Sequence, residues 1–250
     1  MELDQLILIG LVLMVGSAIQ SAAGFGFGLF AIPLLLLVDF ASYEAIAIVG
    51  ACAMVQCGLG AWKLRRYPHW RSLWPLVPFV VIMQPIGAML QKILNDQGPA
   101  LVKQVFGGVL LTVLASQWLL KPKPREKVAY GWGVFAMTCS GLLSGLTGTS
   151  GPPVVLWAMA HDWTTQRIRA SMFAIFMAII PINLVFQSLE FGTDVIKAAG
   201  IGLAYAPVVW LGVIPGLWLG NQLSQKAIRR VAFSLLFVIA AYMVAEPVIG

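Results

Sequence analysis

Residues Ser140–Pro153 read S-G-L-L-S-G-L-T-G-T-S-G-P-P and lie inside an apolar segment, 128–160, that carries no charged residue. In a helix interior, glycine costs about 1 kcal/mol relative to alanine, and proline costs about 3 kcal/mol. The four glycines and two adjacent prolines therefore exclude one uninterrupted helix here. Within a bilayer, a broken backbone is tolerated only where protein covers it or where it lines a cavity. This stretch, called the second break below, is therefore predicted to form part of a functional site.

A similar stretch, Ser21–Pro33, occupies the matching position in the first half of the chain and is called the first break. It reads S-A-A-G-F-G-F-G-L-F-A-I-P. One constant shift of the numbering places Gly28 on Gly151 and Asp39 on Asp162, which predicts an internal repeat. The predicted domains are a first membrane repeat at 1–120, a cytoplasmic linker at 121–127 and a second membrane repeat at 128–250.

The composition is that of a membrane protein. Of the 250 residues, 60% are hydrophobic and only 10% are charged, and the mean hydropathy is +0.88. Soluble domains carry about 25% charged residues, and a helix that spans a bilayer needs about 20 apolar residues. The apolar segments that reach or approach this length are 5–38, 43–62, 72–94, 100–120, 128–160, 168–189, 197–220 and 227–245. They leave no room for a soluble catalytic domain of ordinary size.

The charged residues alternate between loops in a way that predicts the topology. Most of the 16 Lys and Arg residues lie in four basic loops, at 63–71, 121–127, 161–169 and 226–230. Most acidic residues lie in the remaining loops and at the termini. Because cytoplasmic loops carry the excess of Lys and Arg, we expect the basic loops inside the cell and both termini outside. Topology thus accounts for the net charge of +6 without a nucleic acid partner.

On this topology, segment 5–38 begins and ends outside, and segment 128–160 begins and ends inside. Each is predicted to be a re-entrant hairpin, or two short tilted helices that meet at the break. The alternative, one long broken span in each half, would place charged loops on the wrong side. The predicted fold is therefore an all-α integral membrane protein of two inverted repeats, each a broken hairpin plus three transmembrane helices. Secondary transporters have this architecture and bind substrate near the bilayer midplane.

The two breaks are predicted to bind a small anion between them. Where a helix begins beside a cavity, its free backbone N–H groups and its dipole attract negative charge. The first break adds two aromatic side chains, and the second adds hydroxyl groups. The candidate substrate-binding residues at the breaks are Gly24, Phe25, Gly26, Phe27, Gly28, Thr147, Gly148, Thr149, Ser150 and Gly151. The alternative interpretation is close helix packing through small residues, as in the G-x-x-x-G pattern of 24–28.

Three polar side chains in the middle of other apolar segments complete the candidate substrate site. They are Gln56, Gln84 and Asn183, the last two close to prolines. Polar groups within a membrane are costly and face the protein interior. Each of these residues is expected either to line the substrate path or to bond a neighbouring helix.

No pattern indicates a metal, a cofactor or an enzyme. The cysteines Cys52, Cys57 and Cys139 form no C-x-x-C pair, and they are interpreted as small packing residues. The histidines His69 and His161 have no metal-ligand spacing with a cysteine or with each other. The sequence also lacks a P-loop, an H-E-x-x-H motif and a nucleophile elbow. We therefore expect no cofactor, no metal and no catalytic residue.

Over its whole length the chain resembles the sulfite exporter TauE/SafE family of permeases. The motifs that carry the resemblance are Gly24-x-Gly26-x-Gly28 with Pro33, Ser144-Gly145-x-x-Gly148-x-x-Gly151-Pro152, and Pro215-Gly216-x-x-x-Gly220 followed by Ala227-Ile228-Arg229-Arg230. The resemblance implies transport of sulfite, sulfonates or related organic anions across the bacterial inner membrane.

The hypothesis from the sequence is a secondary permease or exporter for small sulfur-containing anions. An anion channel and a membrane redox or enzyme protein are the alternatives. The expected partners are a small anionic substrate and membrane lipids, and no nucleic acid. The identity of the anion, the direction of transport, a coupling ion such as H⁺ or Na⁺, and assembly into a homo-oligomer are left open by the sequence.

Overall fold

The computed structural model describes residues 3–23, 25–68, 70–120, 124–222 and 225–249, and every regular element in these ranges is helical. One of these elements is a short 3-10 turn, Trp74–Leu76, and the others are α-helices. The helices are α1 (Leu3–Ala23), α2 (Phe27–Leu37), α3 (Ser42–Lys63), α4 (Trp70–Leu73), α5 (Val77–Asp96), α6 (Pro99–Leu119), α7 (Tyr130–Thr147), α8 (Gly151–Met159), α9 (Thr165–Phe191), α10 (Thr193–Ala204), α11 (Ala206–Gln222) and α12 (Gln225–Ile249).

Within the described part of the chain, five helical stretches are long and apolar enough to cross a membrane, and a bent pair of helices makes a sixth. The five lie in α1, α3, the α4–α5 unit, α6 and α9, and the bent pair is α10 with α11. The prediction of an all-α, multi-pass membrane protein is confirmed.

Segment 197–220, treated above as one continuous helix, is in fact two helices, so the prediction of an unbroken helix is wrong, although the bent pair together is still long and apolar enough for one span. The axes of α10 and α11 differ by 51°. The cause is Pro207, which has no N–H and whose ring would clash with the carbonyl group of Leu203 in a continuous helix. The chain turns at Tyr205, whose hydroxyl donates to the carbonyl oxygen of Leu6 in α1 at 2.8 Å. This bond fixes the bend against α1.

Both broken segments fold back on themselves as antiparallel helix pairs. In the first, a Cβ atom added at Gly16 of α1 would overlap the ring of Phe27, at 2.8 Å, and touch the ring of Phe30, at 3.4 Å. In the second, the Ser140 hydroxyl donates to the carbonyl oxygen of Ser150 at 2.6 Å, so the end of α7 lies beside the start of α8. Each segment is therefore a hairpin of one long and one short helix, with the break at its tip.

The short helices α2 and α8 are the most enclosed elements. Eight of the 11 residues of α2 are buried, and α8 is buried over most of its length. A helix that is apolar on all sides is expected in the interior of a bundle. One of the two hydrophobic clusters contains much of α2, and the other contains much of α8. The tips of both hairpins are thereby held in the centre of the molecule.

The two halves of the chain are interleaved. The six most extensive pairings among the described helices each join a helix from the first half to one from the second. They are α5–α7, α1–α11, α6–α12, α3–α10, α3–α9 and α5–α9. The order of elements is also similar in both halves: a hairpin, a long helix, an interrupted helical unit (α4–α5 or α10–α11) and a final helix. This order is what an internal repeat would give, while the inversion of the halves in the membrane remains a prediction.

Glycines allow two of these pairings to be unusually close. On the α5–α7 seam, a side chain added at Gly145 would overlap the carbonyl oxygen of Gln84. On the α1–α11 seam, one added at Gly216 would overlap the carbonyl oxygen of Ala18. Backbones that approach this closely are characteristic of membrane helix pairs, in which small residues form the interface. The small-residue packing that the sequence allowed therefore exists, and it involves glycines at these seams.

Two sets of polar contacts link loops that are distant in the sequence. The Lys103 ammonium group bonds Asp39 at 3.3 Å and Glu246 at 3.0 Å, which connects α6 with the end of the first hairpin and with α12. The Arg125 backbone pairs with the chain after α8, through bonds of 2.9 Å to Ala160 and 3.0 Å to Asp162. The first set thus joins two regions predicted to lie outside, and the second joins two of the basic loops.

Candidate functional site

The tips of the two hairpins meet at a cavity. A Cβ atom built on Gly28 would lie 3.6 Å from the carbonyl oxygen of Gly148 and 3.8 Å from the Thr149 methyl group. The cavity at this meeting point has a volume of about 70 Å³ and is lined by residues of both breaks. One water molecule needs about 10–15 Å³ by this measure. The cavity therefore has room for several waters or for one small anion.

The first break presents the open end of α2 to this cavity. Gly26 has φ 110°, a left-handed conformation that glycine adopts without steric cost, and it turns the chain into the helix. The first intrahelical bond runs from the Phe30 N–H to the Gly26 carbonyl at 3.0 Å. The N–H groups of the three residues before Phe30 precede that bond, and no side chain caps them. They form the kind of helix terminus that attracts an anion.

The second break offers fewer backbone donors than the first. Helix α8 begins Gly151-Pro152-Pro153, and neither proline has an N–H group. The Ser150 carbonyl oxygen already accepts the Ser140 hydroxyl at 2.6 Å, which secures the turn to α7. The two helix starts are therefore unequal, because α2 presents three uncapped N–H groups while the first turn of α8 lacks two of its own.

Hydroxyl groups supply the polar surface of the second break. The hydroxyl oxygens of Thr147 and Thr149 lie 2.6 Å apart, and the Thr147 hydroxyl is 3.0 Å from the carbonyl oxygen of Leu143. A hydroxyl has only one proton to donate. If Thr147 donates to Leu143, Thr149 must donate to Thr147 and has no proton left for a ligand. The Ser150 hydroxyl makes no hydrogen bond within the described residues, so it is the freer donor beside the cavity.

The structure brings most of the predicted break residues together. The ones that line the cavity are Phe25, Gly26, Phe27, Gly28, Gly148, Thr149, Ser150 and Gly151. Gly24 lies outside the described residues. Thr147 is set behind Thr149 and lines a smaller neighbouring cavity of about 10 Å³.

The three polar residues predicted from other segments do not line this cavity. Gln84 is fully buried and donates to the Ser144 hydroxyl at 3.2 Å and to the Ile179 carbonyl at 3.0 Å, so it bonds α5 to α7 and α9. Asn183 is buried in α9. Gln56 lines a separate, larger cavity and donates to the Ser21 hydroxyl at 3.0 Å. Of the two roles expected from the sequence, lining the substrate path or bonding a neighbouring helix, Gln84 has the second.

Gln20, which precedes the first break and is a further polar candidate from the sequence, also lines the cavity, whereas other lining residues were not among the sequence candidates. Cys57, interpreted above as a packing residue, lines it, and the Gln20 amide nitrogen lies 3.7 Å from the Cys57 sulfur. One face of α3 and one of α9 supply the apolar wall, through Val49, Gly50, Ala53, Phe176 and Ile180. Their spacing along the two helices marks a common face, but only the packing shows that this face points at the breaks.

The cavity is polar without being charged. Among the described residues, no Lys, Arg, Asp or Glu side chain lines it, and the same residues contain no cluster of His, Cys, Asp or Glu that could hold a metal ion. An anion in this position would be held by backbone N–H groups, the α2 dipole and hydroxyls. Because such a site holds the anion through partial charges and not through a full positive charge, it also permits release of the anion.

Comparisons with known proteins establish the family of the chain. No solved structure matches the chain. A protein of Cupriavidus necator named probable sulfite/organosulfonate exporter TauE is 26% identical over 238 residues, which cover 93% of this chain and 91% of that relative. The family model described as sulfite exporter TauE/SafE matches residues 8–243. Because this match takes in nearly the whole sequence, the protein belongs to the sulfite exporter TauE/SafE family.

Proposed function

We propose that this chain is a secondary transporter that exports a small sulfur-containing anion, such as sulfite or an organosulfonate, through the cavity between the two breaks. Membership of an exporter family and the name of the relative support transport, and they favour it over catalysis. The observation that carries the proposal is the uncapped N-terminus of α2, which faces a cavity shared with Thr149 and Ser150.

The cavity fits the chemistry of a sulfo group. Such a group has three oxygen atoms that accept hydrogen bonds, and the start of α2 offers the N–H groups of Phe27, Gly28 and Leu29. The Ser150 hydroxyl of the second break adds a further donor. The apolar wall that includes Phe176 and Ile180 would receive the carbon chain of an organosulfonate. Selection for the sulfo head and tolerance of short organic tails would follow.

The proposed transport cycle uses the two hairpins as its halves. If the repeats are inverted, as the charge pattern predicts, one hairpin reaches the cavity from the outer side and the other from the cytoplasmic side. Movement of one repeat against the other would open the cavity first to one side of the membrane and then to the other. In this arrangement the protein lies in the bacterial inner membrane with both termini outside. The coupling ion, H⁺ or Na⁺, is part of the same proposal.

Counterflow in liposomes tests the proposal. Purified protein is reconstituted, and uptake of radiolabelled sulfite is measured with and without unlabelled sulfite inside. A carrier is expected to show faster uptake when the internal side is loaded, because the loaded site returns more readily than the empty one. An anion channel would show no such acceleration.

A parallel thermal-shift screen should find stabilisation by sulfite and methanesulfonate and none by neutral solutes of equal size. Stabilisation that ignores charge would contradict the proposed anion site.

A further inference from the structure

A second, larger cavity lies beside the proposed substrate cavity, and we call it the basic vestibule. It has a volume of about 330 Å³ and lies among α1, α3, α9 and α11. Lys63, the last residue of α3, and Arg169, near the start of α9, both line it. It therefore lies beside two of the basic loops, 63–71 and 161–169, on the predicted cytoplasmic side.

The vestibule carries positive charge that nothing in the described chain neutralises. Neither Lys63 nor Arg169 forms an ion pair with a described acidic residue, and no acidic side chain is among the described residues that line the vestibule. The Nε atom of Arg169 is buried and has no hydrogen-bond partner among the described residues. A buried, unsatisfied donor of a charged group is costly. The Arg169 side chain as a whole is only half-buried and lines the vestibule, so its guanidinium group has access to an acceptor there, and an oxyanion matches a guanidinium group best.

A single layer of side chains separates the vestibule from the substrate cavity. Two adjacent bonds cross from α1 to α3: Gln20 reaches Cys57 at 3.7 Å, and Gln56 reaches Ser21 at 3.0 Å. Gln20 and Cys57 line the substrate cavity, whereas Ser21 and Gln56 line the vestibule. An anion in the vestibule would therefore be one polar layer away from the uncharged cavity.

We propose that the basic vestibule is a capture site, in which Arg169 and Lys63 bind the substrate oxyanion on the basic-loop side before it passes to the cavity. This inference rests on the proposed transport function. The two chambers have different tasks. The charged vestibule concentrates anions, since a cleft lined by one sign of charge raises the rate of encounter. The uncharged cavity holds the anion weakly enough to release it on the other side.

The test uses Arg169→Gln, with Arg167→Gln as its matched control. Arg167 lies two residues earlier on the same helix, is exposed and does not line the vestibule, so its loss changes the charge of the loop equally. Sulfite uptake is measured in inverted membrane vesicles, whose outer surface is the cytoplasmic face. Arg169→Gln should raise the apparent KM about tenfold or more, the usual effect of a lost bond to a charged group. The maximal rate should stay within about twofold, and Arg167→Gln should match the wild type.

Lys63→Gln provides an independent arm, because Lys63 is exposed and its loss should leave the fold intact. It should raise KM at low ionic strength. The effect should fade at 1 M salt, because the Debye length is then only about 3 Å and the charge of Lys63 is screened. It therefore decides the question if Arg169→Gln does not fold. An unchanged KM for Lys63→Gln at low salt, or an equal KM shift in Arg169→Gln and Arg167→Gln, would overturn the capture site.

A phospholipid headgroup offers the same oxyanion chemistry, so a lipid arm separates the two ligands. Binding of an anionic lipid is measured in nanodiscs for the wild type and Arg169→Gln. If the substitution weakens lipid binding and leaves the sulfite KM unchanged, the vestibule holds a lipid and the capture site is wrong. Failure of the underlying transport function would look different, because the wild-type protein would then take up no sulfite.

Discussion

Gly28 of the first break and Gly148 of the second approach each other closely enough that a Cβ atom on Gly28 would lie 3.6 Å from the Gly148 carbonyl oxygen. These glycines belong to different halves of the chain, and their meeting creates the cavity. They have different roles, however. Gly28 has room for a methyl group, whereas Gly148 has φ 70° and a Cβ atom there would lie only 2.8 Å from Ile32 and Ile46.

Gly28→Ala and Gly151→Ala should reduce substrate affinity while the fold survives. An added methyl group would make ordinary contacts, 3.6 Å or more at Gly28 and 3.8 Å at Gly151, but it would occupy part of a 70 Å³ cavity. Gly148→Ala is the contrasting variant and should lose about 1–3 kcal/mol of stability from backbone strain. Thermal midpoints and sulfite affinity are measured for all three. Wild-type affinity in both Gly28→Ala and Gly151→Ala would show that the anion does not bind in this cavity.

Ser150→Ala should weaken anion binding more than Thr149→Val. The Ser150 hydroxyl is free to donate, while the proton of Thr149 is shared with Thr147 at 2.6 Å. A hydrogen bond to a charged ligand is worth about 1.5–3 kcal/mol, which corresponds to roughly ten- to a hundredfold in affinity. Thr147→Val is the contrasting variant: Thr147 does not line the cavity, and loss of its hydroxyl frees the Thr149 proton, so affinity should not fall. Titration calorimetry with sulfite measures the order, and equal affinities in all four proteins would exclude the hydroxyls as ligands.

Gly145→Ala should disrupt the folded protein, whereas Gly200→Ala should not. A methyl group at Gly145 would overlap the backbone of α5, but one at Gly200 would meet nothing within 4 Å. Alanine at an open helical position can stabilise by up to about 1 kcal/mol relative to glycine. Gel filtration and thermal unfolding in detergent compare the two. Monodisperse, wild-type-like Gly145→Ala would mean that the α5–α7 seam is looser than described.

Reporter fusions should place Asp39 and Asn95 on the outer side and Arg66 on the cytoplasmic side. The basic loop that contains Arg66 should stay in the cytoplasm because Lys and Arg resist translocation. Alkaline phosphatase is active only outside the cytoplasm, and a fluorescent protein partner reports the opposite side. A cytoplasmic signal at Asp39 would contradict the re-entrant first hairpin and, with it, the inverted repeat.

The positions of both breaks could be predicted from the sequence because glycine and proline act locally. Gly26 and Gly148 adopt left-handed conformations that other residues avoid. Two further features could have been predicted in the same way. The missing N–H groups of Pro152 and Pro153 weaken the start of α8, and Pro207 forces the bend at Tyr205.

The rest of the site depends on packing between distant parts of the chain. Cys57 and Phe176 line the cavity only because α3 and α9 turn those faces towards the breaks. Likewise, Lys63 and Arg169 share the vestibule although they lie in different loops. Hydrophobic periodicity gives little help in a membrane helix, because lipid-facing and core-facing residues are both apolar.

The interleaving of the two halves also sets a schedule for biosynthesis. The Ser17 hydroxyl of α1 bonds the Val209 carbonyl of α11 at 2.9 Å, across a sequence separation of 192 residues. A ribosome adds about 5–20 residues per second, so α1 waits roughly 10–40 s for its main partner after it leaves the ribosome. The second break follows the first by about 120 residues, since Gly148 comes 120 residues after Gly28, so for roughly 6–24 s of that interval nothing covers the first break. During this time the nascent hairpin must be sheltered by lipid headgroups, water or the insertion machinery.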